Sequence, residues 1–344
     1  MLSVHKYSSD LYTEWNLFLE KSKNSSFLFN RNFMEYHSGR FRDFSLVVKD
    51  EENKIVAVLP ANITNENVVI SHQGLTYGGL AVGKNEKLLT IVSYFREILN
   101  YLHENGIYSL VYKEIPAIYN EMVSGEMQYV FYLIGAQLIR CDTCTVIRNP
   151  FKQPYQRRRQ VSIRKAKSLG VEIVNDNNFD GFWEVILMPR LFGKHFVTPA
   201  HSLEEIKLLH SRFPDKIKQF NAYYKGEIMA GTTIFEMPNL VRAQYASGSN
   251  EGRNNGSLDL LFDTLITDVY KDKEYFDFGN SNEKDGLILN RGLLEWKEGL
   301  GGRNYAQFFY KMQTESFCIL DSLLRQGAVP DNSSKNANAN SVTN

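Results

Sequence analysis

The sequence predicts an α+β fold built from two similar halves, each a mixed, mostly antiparallel sheet flanked by helices. The order of strand-like and helix-like patterns in the first half recurs in the second. Pro150 and Pro154 interrupt the pattern between the halves. The 344 residues, 43% hydrophobic and 23% charged, are enough for two folded domains. We therefore expect domains at residues 1–148 and 149–326.

In the first half, apolar residues recur at helical spacing in three stretches and form strand-like runs in five others. A turn at residues 52–54 joins two of the strands into a hairpin, and Gly106 suits the left-handed position that ends a helix. The predicted helices cover residues 10–22, 86–105 and 120–135, and the predicted strands cover residues 44–50, 54–63, 68–72, 108–116 and 137–148.

The second half opens with a basic stretch, residues 155–174, and then repeats the α+β pattern. Turns at Lys225-Gly226 and Pro238-Asn239 divide residues 217–247 into three strands. The tail, residues 327–344, has almost no apolar residues and is expected to be disordered. The other predicted elements are helices over 179–192, 202–213 and 257–270 and strands over 275–279 and 306–313.

Composition limits the classes of partner and compartment. Lys+Arg and Asp+Glu both number 39, so no net field favours DNA binding. Because no apolar run approaches ~20 residues, no transmembrane segment is expected, and the N-terminus lacks the apolar core of a signal peptide. Three cysteines are typical of a reducing cytoplasm, where we expect the protein to act. Cys141 and Cys144 form a lone C-x-x-C in a strand, so no metal site is predicted.

The most informative stretch runs from residue 241 to residue 302. A strand, VRAQYAS, leads through a glycine-containing loop to a helix for which Ser257 is the expected N-cap. A glycine loop before a helix N-terminus offers N–H groups to a phosphate or an oxyanion, although such a loop is often a plain connection. The spacing excludes a P-loop and a Rossmann fingerprint. The residues expected to bind such a ligand, the donor substrate, are Gln244, Tyr245, Ser247, Gly248, Gly252, Arg253 and Gly256. Gln244 and Tyr245 could instead bind the acceptor substrate or pack in the core.

Three segments of this stretch carry a resemblance to a known family. QYASGS, YFDFG and GLLEWKEGLGG follow one another in order, and they resemble the acyl-coenzyme A loop of GNAT acyltransferases and, more closely, the second GNAT-like domain of the FemAB-type transferases. Trp296 and Leu300 depart from the aromatic positions of the last segment, and the loop after Ser249 is richer in Asn and Gly. The resemblance covers roughly residues 10–325 and implies two tandem GNAT-like domains with a cleft between them.

Three residues are candidates for catalysis. Lys297 matches a lysine that, in the resembled motif, stabilises negative charge at the active site; the alternative is a surface lysine. Asp277, in the YFDFG strand, could position an amine or accept its proton, or it could be a buried, hydrogen-bonded aspartate. His201 precedes a helix and is a candidate base, although a histidine in such a position usually has no catalytic role.

Two further groups are candidates for substrate binding. Tyr77 and Gly78 lie in the loop HQGLTYGGL, where the tyrosine could stack on a sugar or base; the alternative is a turn with a core tyrosine. Arg157, Arg158 and Arg164 belong to a basic helix that resembles one near the cleft of FemAB-type proteins. Such a helix could bind phosphates of a nucleotide, a lipid carrier or tRNA, or it could be a solvated face.

Together these features predict an acyltransferase. The expected donor is acyl-coenzyme A, with acetyl as the expected acyl group, used as a co-substrate with no tightly bound cofactor and no metal. The expected acceptor is an amine, and the resemblance implies a sugar nucleotide, a cell-envelope polysaccharide precursor or a peptide. Two alternatives stay open: an aminoacyl-tRNA-dependent transferase that acts on a peptidoglycan precursor, and a non-catalytic binding protein on a GNAT scaffold.

Overall fold

The predicted α+β class is confirmed by a computed structural model, which describes residues 1–195 and 199–326. The predicted disorder of residues 327–344 lies outside the described residues. Among the described residues, no helix has the length and apolar character needed to cross a membrane.

The helices follow the predicted apolar periodicity closely in most places. The longest, predicted over residues 86–105, runs from Leu88 to Glu104. Gly106, two residues beyond its end, has a φ of +73° and stops the helix. The helices are α1 Tyr12–Glu20, α2 Arg31–Met34, α3 Leu88–Glu104, α4 Glu126–Leu133, α5 Arg157–Ser168, α6 Phe179–Gly181, α7 Met188–His195, α8 Leu203–Arg212, α9 Asn250–Asn254, α10 Ser257–Thr264, α11 Arg291–Gly299 and α12 Phe317–Gln326.

Most strands of the first half are shorter than predicted, but β9 has the predicted bounds, 137–148, and the last strand of the chain is longer than predicted because it begins at Arg303. The strands are β1 Ser3–Lys6, β2 Arg42–Asp43, β3 Leu46–Lys49, β4 Ile55–Leu59, β5 Asn62–Ile63, β6 Val69–Ile70, β7 Ala81–Val82, β8 Ser109–Lys113, β9 Gln137–Arg148, β10 Glu172–Val174, β11 Ile217–Tyr224, β12 Glu227–Glu236, β13 Leu240–Gly248, β14 Tyr275–Asn280, β15 Asn282–Glu283, β16 Ile288–Leu289 and β17 Arg303–Gln313.

Three helices differ from their predicted form. The helix predicted over 120–135 begins only at Glu126, after Gly125. The helix predicted over 179–192 contains a π-helical segment, Phe182–Leu187, between α6 and α7, and α10 continues into a π-helical segment, Leu265–Val269. Apolar periodicity locates a helix, but it does not distinguish an α turn from a π turn.

The two halves exchange their last strands. Strand β9, at the end of the first half, pairs with β14 of the second half, and β17, at the end of the second half, lies between β9 and β8. Within the described residues the result is one eleven-stranded sheet, in the order β10-β11-β12-β13-β14-β9-β17-β8-β6-β5-β2, beside a four-stranded sheet, β1-β3-β4-β7. A sheet edge that would end each half is thereby covered by the other half.

The internal repeat shows in the parallel strand pairs. Strands β6 and β8 are parallel with α3 between them along the chain, and β13 and β14 are parallel with α10 between them. Buried side chains of both halves form one apolar cluster that includes Trp15, Phe29, Trp183 and Phe235. Because a sheet and a core cross the predicted boundary, the halves pack as one unit; the limits at 148 and 149 stay a prediction.

Candidate active site

A cavity opens where the parallel strands β13 and β14 stop pairing. Their register covers only Leu240–Arg242 against Tyr275–Asp277. Beyond it, β13 stays paired with β12 as far as Gly248, and β14 stays paired with β9 as far as Asn280. A first cavity of about 600 Å³ lies at this gap, lined by both strands and by α7, α10 and α11. The predicted donor residues Gln244, Ser247, Gly248 and Arg253 line it, as does Lys297.

The first cavity is strongly cationic. One lining carboxylate, Asp259, is already occupied, because it accepts hydrogen bonds from Arg159 Nη1 at 2.8 Å and from Trp296 Nε1 at 2.8 Å. The predicted basic helix therefore contributes through Arg159, which was not among the residues chosen from it. The lining cations are Arg159, Arg190, Arg242, Arg253 and Lys297.

Two of these arginines have no carboxylate partner among the described residues. Arg253 donates to the carbonyl oxygen of Gly248 at 2.6 Å and to the side chain of Asn250, and Arg190 has no hydrogen-bond or ion-pair partner among the described residues. Burial lowers the pKa of Arg190, and the charge of Arg253 lowers it further. The buried Ser247 Oγ also lacks a partner there. Unpaired donors beside a cavity indicate a place for an anionic ligand.

A buried ion pair holds the two strands together at the floor of the gap. Arg242 Nη1 lies 2.6 Å from Asp277 Oδ2, and that oxygen also accepts hydrogen bonds from the hydroxyls of Tyr119 and, at 3.1 Å, Tyr305. The other oxygen, Oδ1, accepts from the N–H of Gly279 at 2.8 Å. Asp277 is fully buried and lines neither cavity described here. The predicted role in positioning an amine or accepting its proton is therefore corrected to a structural one.

Lys297 is buried at the end of β14. Its ammonium donates to the carbonyl oxygens of Gly279 at 2.8 Å and Asn280 at 2.6 Å and to Ser281 Oγ at 3.0 Å. Burial is the main cause that lowers its pKa to about 7. The alternative of a surface lysine is therefore excluded, and α11 places the amine at the wall of the first cavity.

A second cavity of about 400 Å³ lies between the halves. Residues of the first half, among them Thr76 and Lys113, face residues of the second, among them His201. Arg242, Gln244 and Asn280 line both this cavity and the first. The two cavities therefore adjoin at these three residues, beside the gap between β13 and β14.

His201 lines the second cavity but is a weak base. Its Nδ1 lies 2.6 Å from the hydroxyl of Tyr245, whose ring packs in the core rather than along the first cavity. Burial, with the positive charge of Arg40 nearby, lowers the pKa of His201 to about 3. The predicted base is corrected to a neutral imidazole, because so low a pKa leaves little affinity for a proton at neutral pH. Tyr245 orients this imidazole and does not line the donor cavity.

Two glycines of the loop are needed for packing rather than for ligand approach. A Cβ at Gly252 would overlap the carbonyl oxygen of Met229, and a Cβ at Gly256 would overlap that of Ser162. Gly256 has a φ of +89° and is itself the N-cap of α10, so the predicted N-cap at Ser257 is shifted by one residue. The predicted donor contacts of both glycines are corrected, since neither lines the cavity.

The two predicted substrate-binding residues of the first half, Tyr77 and Gly78, do not line either cavity. Tyr77 is fully buried, with its ring 4.5 Å from that of Tyr119, so it cannot stack on a ligand. A Cβ at Gly78 would overlap the carbonyl oxygen of Ser71, which explains the glycine by close backbone packing. Their neighbours Leu75 and Thr76 line the second cavity instead, so the loop reaches that cavity through residues other than the two predicted ones.

The three arginines chosen from α5 lie outside both cavities. Arg157 and Arg164 are exposed, and Arg158 pairs with Glu295 at 3.6 Å. Helical spacing places Arg159 on a different face from these three, which is the signal that could have selected it. Among the described residues no cluster of three or more His, Cys, Asp or Glu side chains is arranged to hold a metal ion.

The fold has clear structural relatives. The crystal structure of FemX superposes with a TM-score of 0.63 at 10% identity, covering 95% of this chain and 99% of that one. The structure of L-PGS from Bacillus licheniformis gives 0.57 at 11% identity over 91% and 95% of the two chains. The C-terminal domain of a putative lysylphosphatidylglycerol synthetase from Agrobacterium fabrum gives 0.56 at 12% identity over 93% and 96%.

These likenesses confirm the predicted fold. The fold is FemAB-like. It has the internal repeat of two α+β halves that the resemblance implied. No protein-family model matches the sequence, and no curated protein matches it.

Proposed function

We propose that the protein is an acyltransferase that moves an acyl group, acetyl in the first instance, from acyl-coenzyme A to an amine. The observation that carries the proposal is the meeting of two cavities at Arg242, Gln244 and Asn280. A direct transfer needs both substrates in contact at one point and needs no covalent intermediate on the protein.

The residues of the first cavity fit an acyl-coenzyme A. Arg159, Arg190 and Arg253 supply cationic donors for phosphate groups. Ser247 Oγ is a buried hydroxyl without a partner among the described residues, as expected of a group that a ligand satisfies. Trp296 and Phe262 supply apolar wall for a flexible chain. Arg242, which lines both cavities, lies where this wall adjoins the second cavity.

Lys297 is the group that meets developing negative charge. Its ammonium donates to three oxygen acceptors at the end of β14, so it acts on the developing anionic carbonyl oxygen as a fixed positive charge, and a direct hydrogen bond to that oxygen requires the release of one of the three acceptors. Asp277 and Arg242 hold the two strands at the separation that forms the gap. The amine attacks the acyl carbonyl as a free base, and the thiol of coenzyme A is the leaving group.

The second cavity is the proposed acceptor site, with a sugar nucleotide or a cell-envelope precursor of the cytoplasm as the class of acceptor. An aminoacyl-tRNA donor is the alternative, favoured by the exposed arginines Arg157 and Arg164 beside Arg159 at the first cavity. A non-catalytic protein would bind a donor at the same cavity without turnover.

Two binding measurements on the full chain distinguish an acyl-coenzyme A donor from an aminoacyl-tRNA donor. Calorimetric titration with acetyl-coenzyme A should give saturable binding, and the variant Arg190→Met should bind more weakly because a phosphate partner is lost. Arg212→Met, which removes an arginine outside both cavities, is the matched control. Saturable filter binding of an aminoacyl-tRNA, together with no heat from acetyl-coenzyme A, would replace the proposal with the tRNA-dependent alternative.

A further inference from the structure

One lysine of the second cavity is an ionisable group without a counter-charge. Four cations line this cavity, and three of them are paired with a carboxylate, whereas Lys113 has no carboxylate within ion-pair distance among the described residues. The pairs are Arg40 with Glu205 at 2.9 Å, Arg140 with Asp142 at 2.8 Å and Arg242 with Asp277 at 2.6 Å.

The ammonium of Lys113 is also poorly satisfied in hydrogen bonds. Lys113 is the last residue of β8, and its Nζ donates to the carbonyl oxygen of Leu75. Its other contact is with the ring of Phe309, 5.8 Å from Nζ to the centroid. An ammonium carries three donors, so two of them have no oxygen partner among the described residues. Lys113 is partly buried, and keeping unpaired donors there is costly unless water or a ligand completes them.

The charged groups around Lys113 mostly oppose its protonation. After burial, the largest cause, the positive charges of Arg140 and Arg242 lower the pKa of Lys113, the charge of Asp142 raises it, and the result is about 7. His72 lies close enough to interact and is itself held neutral by burial. The neighbouring Glu114 accepts a hydrogen bond from Gln128 at 2.8 Å and is not paired with the lysine. An anion bound at Nζ would raise this pKa again.

A second, independent group in the cavity also lacks a partner. His201 is 4% exposed and lines the cavity, and its Nε2 has no hydrogen-bond partner among the described residues. Its Nδ1 is engaged by the hydroxyl of Tyr245. The cavity therefore combines an uncompensated cation with a buried polar nitrogen, which together point to a ligand that carries both an anionic group and a hydrogen-bonding group.

We propose that the acceptor carries an anionic group, a carboxylate or a phosphate, in addition to its amine, and that Lys113 binds that group in the second cavity. This rests on the proposed function, because it treats the second cavity as the acceptor site. The anion is held at Lys113, on the first half of the chain, while the amine lies towards Gln244 and Asn280, where the two cavities meet.

The test is calorimetric titration of inorganic phosphate and, separately, sodium acetate into the full chain at pH 8, with coenzyme A present to occupy the first cavity. One of the two anions should bind the wild type, and the identity of that anion distinguishes a phosphate from a carboxylate. Lys113→Met should weaken binding by roughly tenfold or more, as expected for the loss of a charged hydrogen bond. Lys54→Met, at a lysine that lies outside both cavities, is the matched control and should bind normally.

Proton uptake gives a readout that a merely structural role would not change. Because the pKa of Lys113 is about 7, the wild type at pH 8 should take up close to one proton per anion, measured by repeating the titration in buffers of different ionisation enthalpy. Lys113→Arg should keep affinity and lose the uptake, since arginine is already charged. This variant also provides the answer if Lys113→Met fails to fold.

The outcomes separate this proposal from the proposed function. A wild type that binds neither anion, or equal anion affinity in the wild type and Lys113→Met, overturns the role of Lys113 even if coenzyme A binds. Failure of coenzyme A to bind, with anion binding that still depends on Lys113, contradicts the acyl-coenzyme A donor and leaves the anion site standing.

Discussion

Replacing Asp277 with Asn should destabilise the protein strongly, because it leaves the buried Arg242 without its counter-charge. Both side chains are buried, and Asp277 accepts from Arg242, Tyr119, Tyr305 and the N–H of Gly279. An Asn amide has one acceptor oxygen and would turn N–H donors towards groups that are themselves donors. Breaking a buried pair typically costs about 3–5 kcal/mol, which corresponds to a fall in melting temperature of roughly 4–7 °C for a chain of this size.

The measurement is thermal and urea unfolding of Asp277→Asn beside Asp285→Asn. Asp285 also pairs with an arginine, Arg140, but it is 86% exposed, so its loss should cost less than about 1 kcal/mol. The double variant Arg242→Met/Asp277→Asn should be more stable than Asp277→Asn, because the unpaired charge is gone. If Asp277→Asn has the same melting temperature and free energy of unfolding as the wild type but has lost its turnover, the structural role is refuted and Asp277 is again a candidate for catalysis.

Gly252→Ala should lower the melting temperature, because its Cβ overlaps the carbonyl oxygen of Met229, whereas Gly292→Ala, with open space in α11, should not; equal effects would contradict the packing argument. Lys297→Met should reduce turnover by roughly a hundredfold and leave acetyl-coenzyme A affinity within about threefold; turnover near that of the wild type would remove it from catalysis. Because the pKa of His201 is lowered to about 3, the unfolded chain binds more protons between that pH and about 6.5. The free energy of unfolding should therefore decrease as the pH is lowered from about 6.5 to about 3, and urea titration should show a smaller decrease in His201→Gln.

The elements around the candidate site could be predicted because local patterns specify them. Three strands were expected within residues 217–247, and they form β11, β12 and β13. The helix after the predicted glycine loop also forms, as α10, whereas the loop itself contains the short helix α9. A run of apolar residues or a glycine turn is a local signal, and it needs no knowledge of what the element packs against.

The partners of individual side chains could not be predicted in the same way. In the sequence, Asp277 suggested a reactive carboxylate because its partner could not be seen. That partner, Arg242, is 35 residues away, and the pairing is set by the register of β13 and β14. Gly252 suggested ligand approach, although the carbonyl oxygen that excludes a side chain belongs to β12. The strand exchange of β9 and β17 has no local signature either, because the sequence pattern of a strand is the same whichever half the strand pairs with.

Lys297 was selected by its resemblance to a motif, and burial with a lowered pKa agrees with a special environment without testing its role. Lys113 carried no such signal. It lies in an apolar strand with an ordinary polar end, and only the pairing of the surrounding cations shows that it lacks a counter-charge.

The most direct test of the account is acetyl-coenzyme A binding after the first cavity is filled by a side chain. Ala246 is exposed and lines that cavity, so Ala246→Trp should occupy it without disturbing the core. Val174→Trp, on the edge strand β10 and outside both cavities, controls for an added tryptophan. The account predicts saturable calorimetric binding to the wild type and to Val174→Trp, and affinity weakened by roughly tenfold or more in Ala246→Trp. Unchanged affinity in a folded Ala246→Trp would contradict the assignment of the donor site.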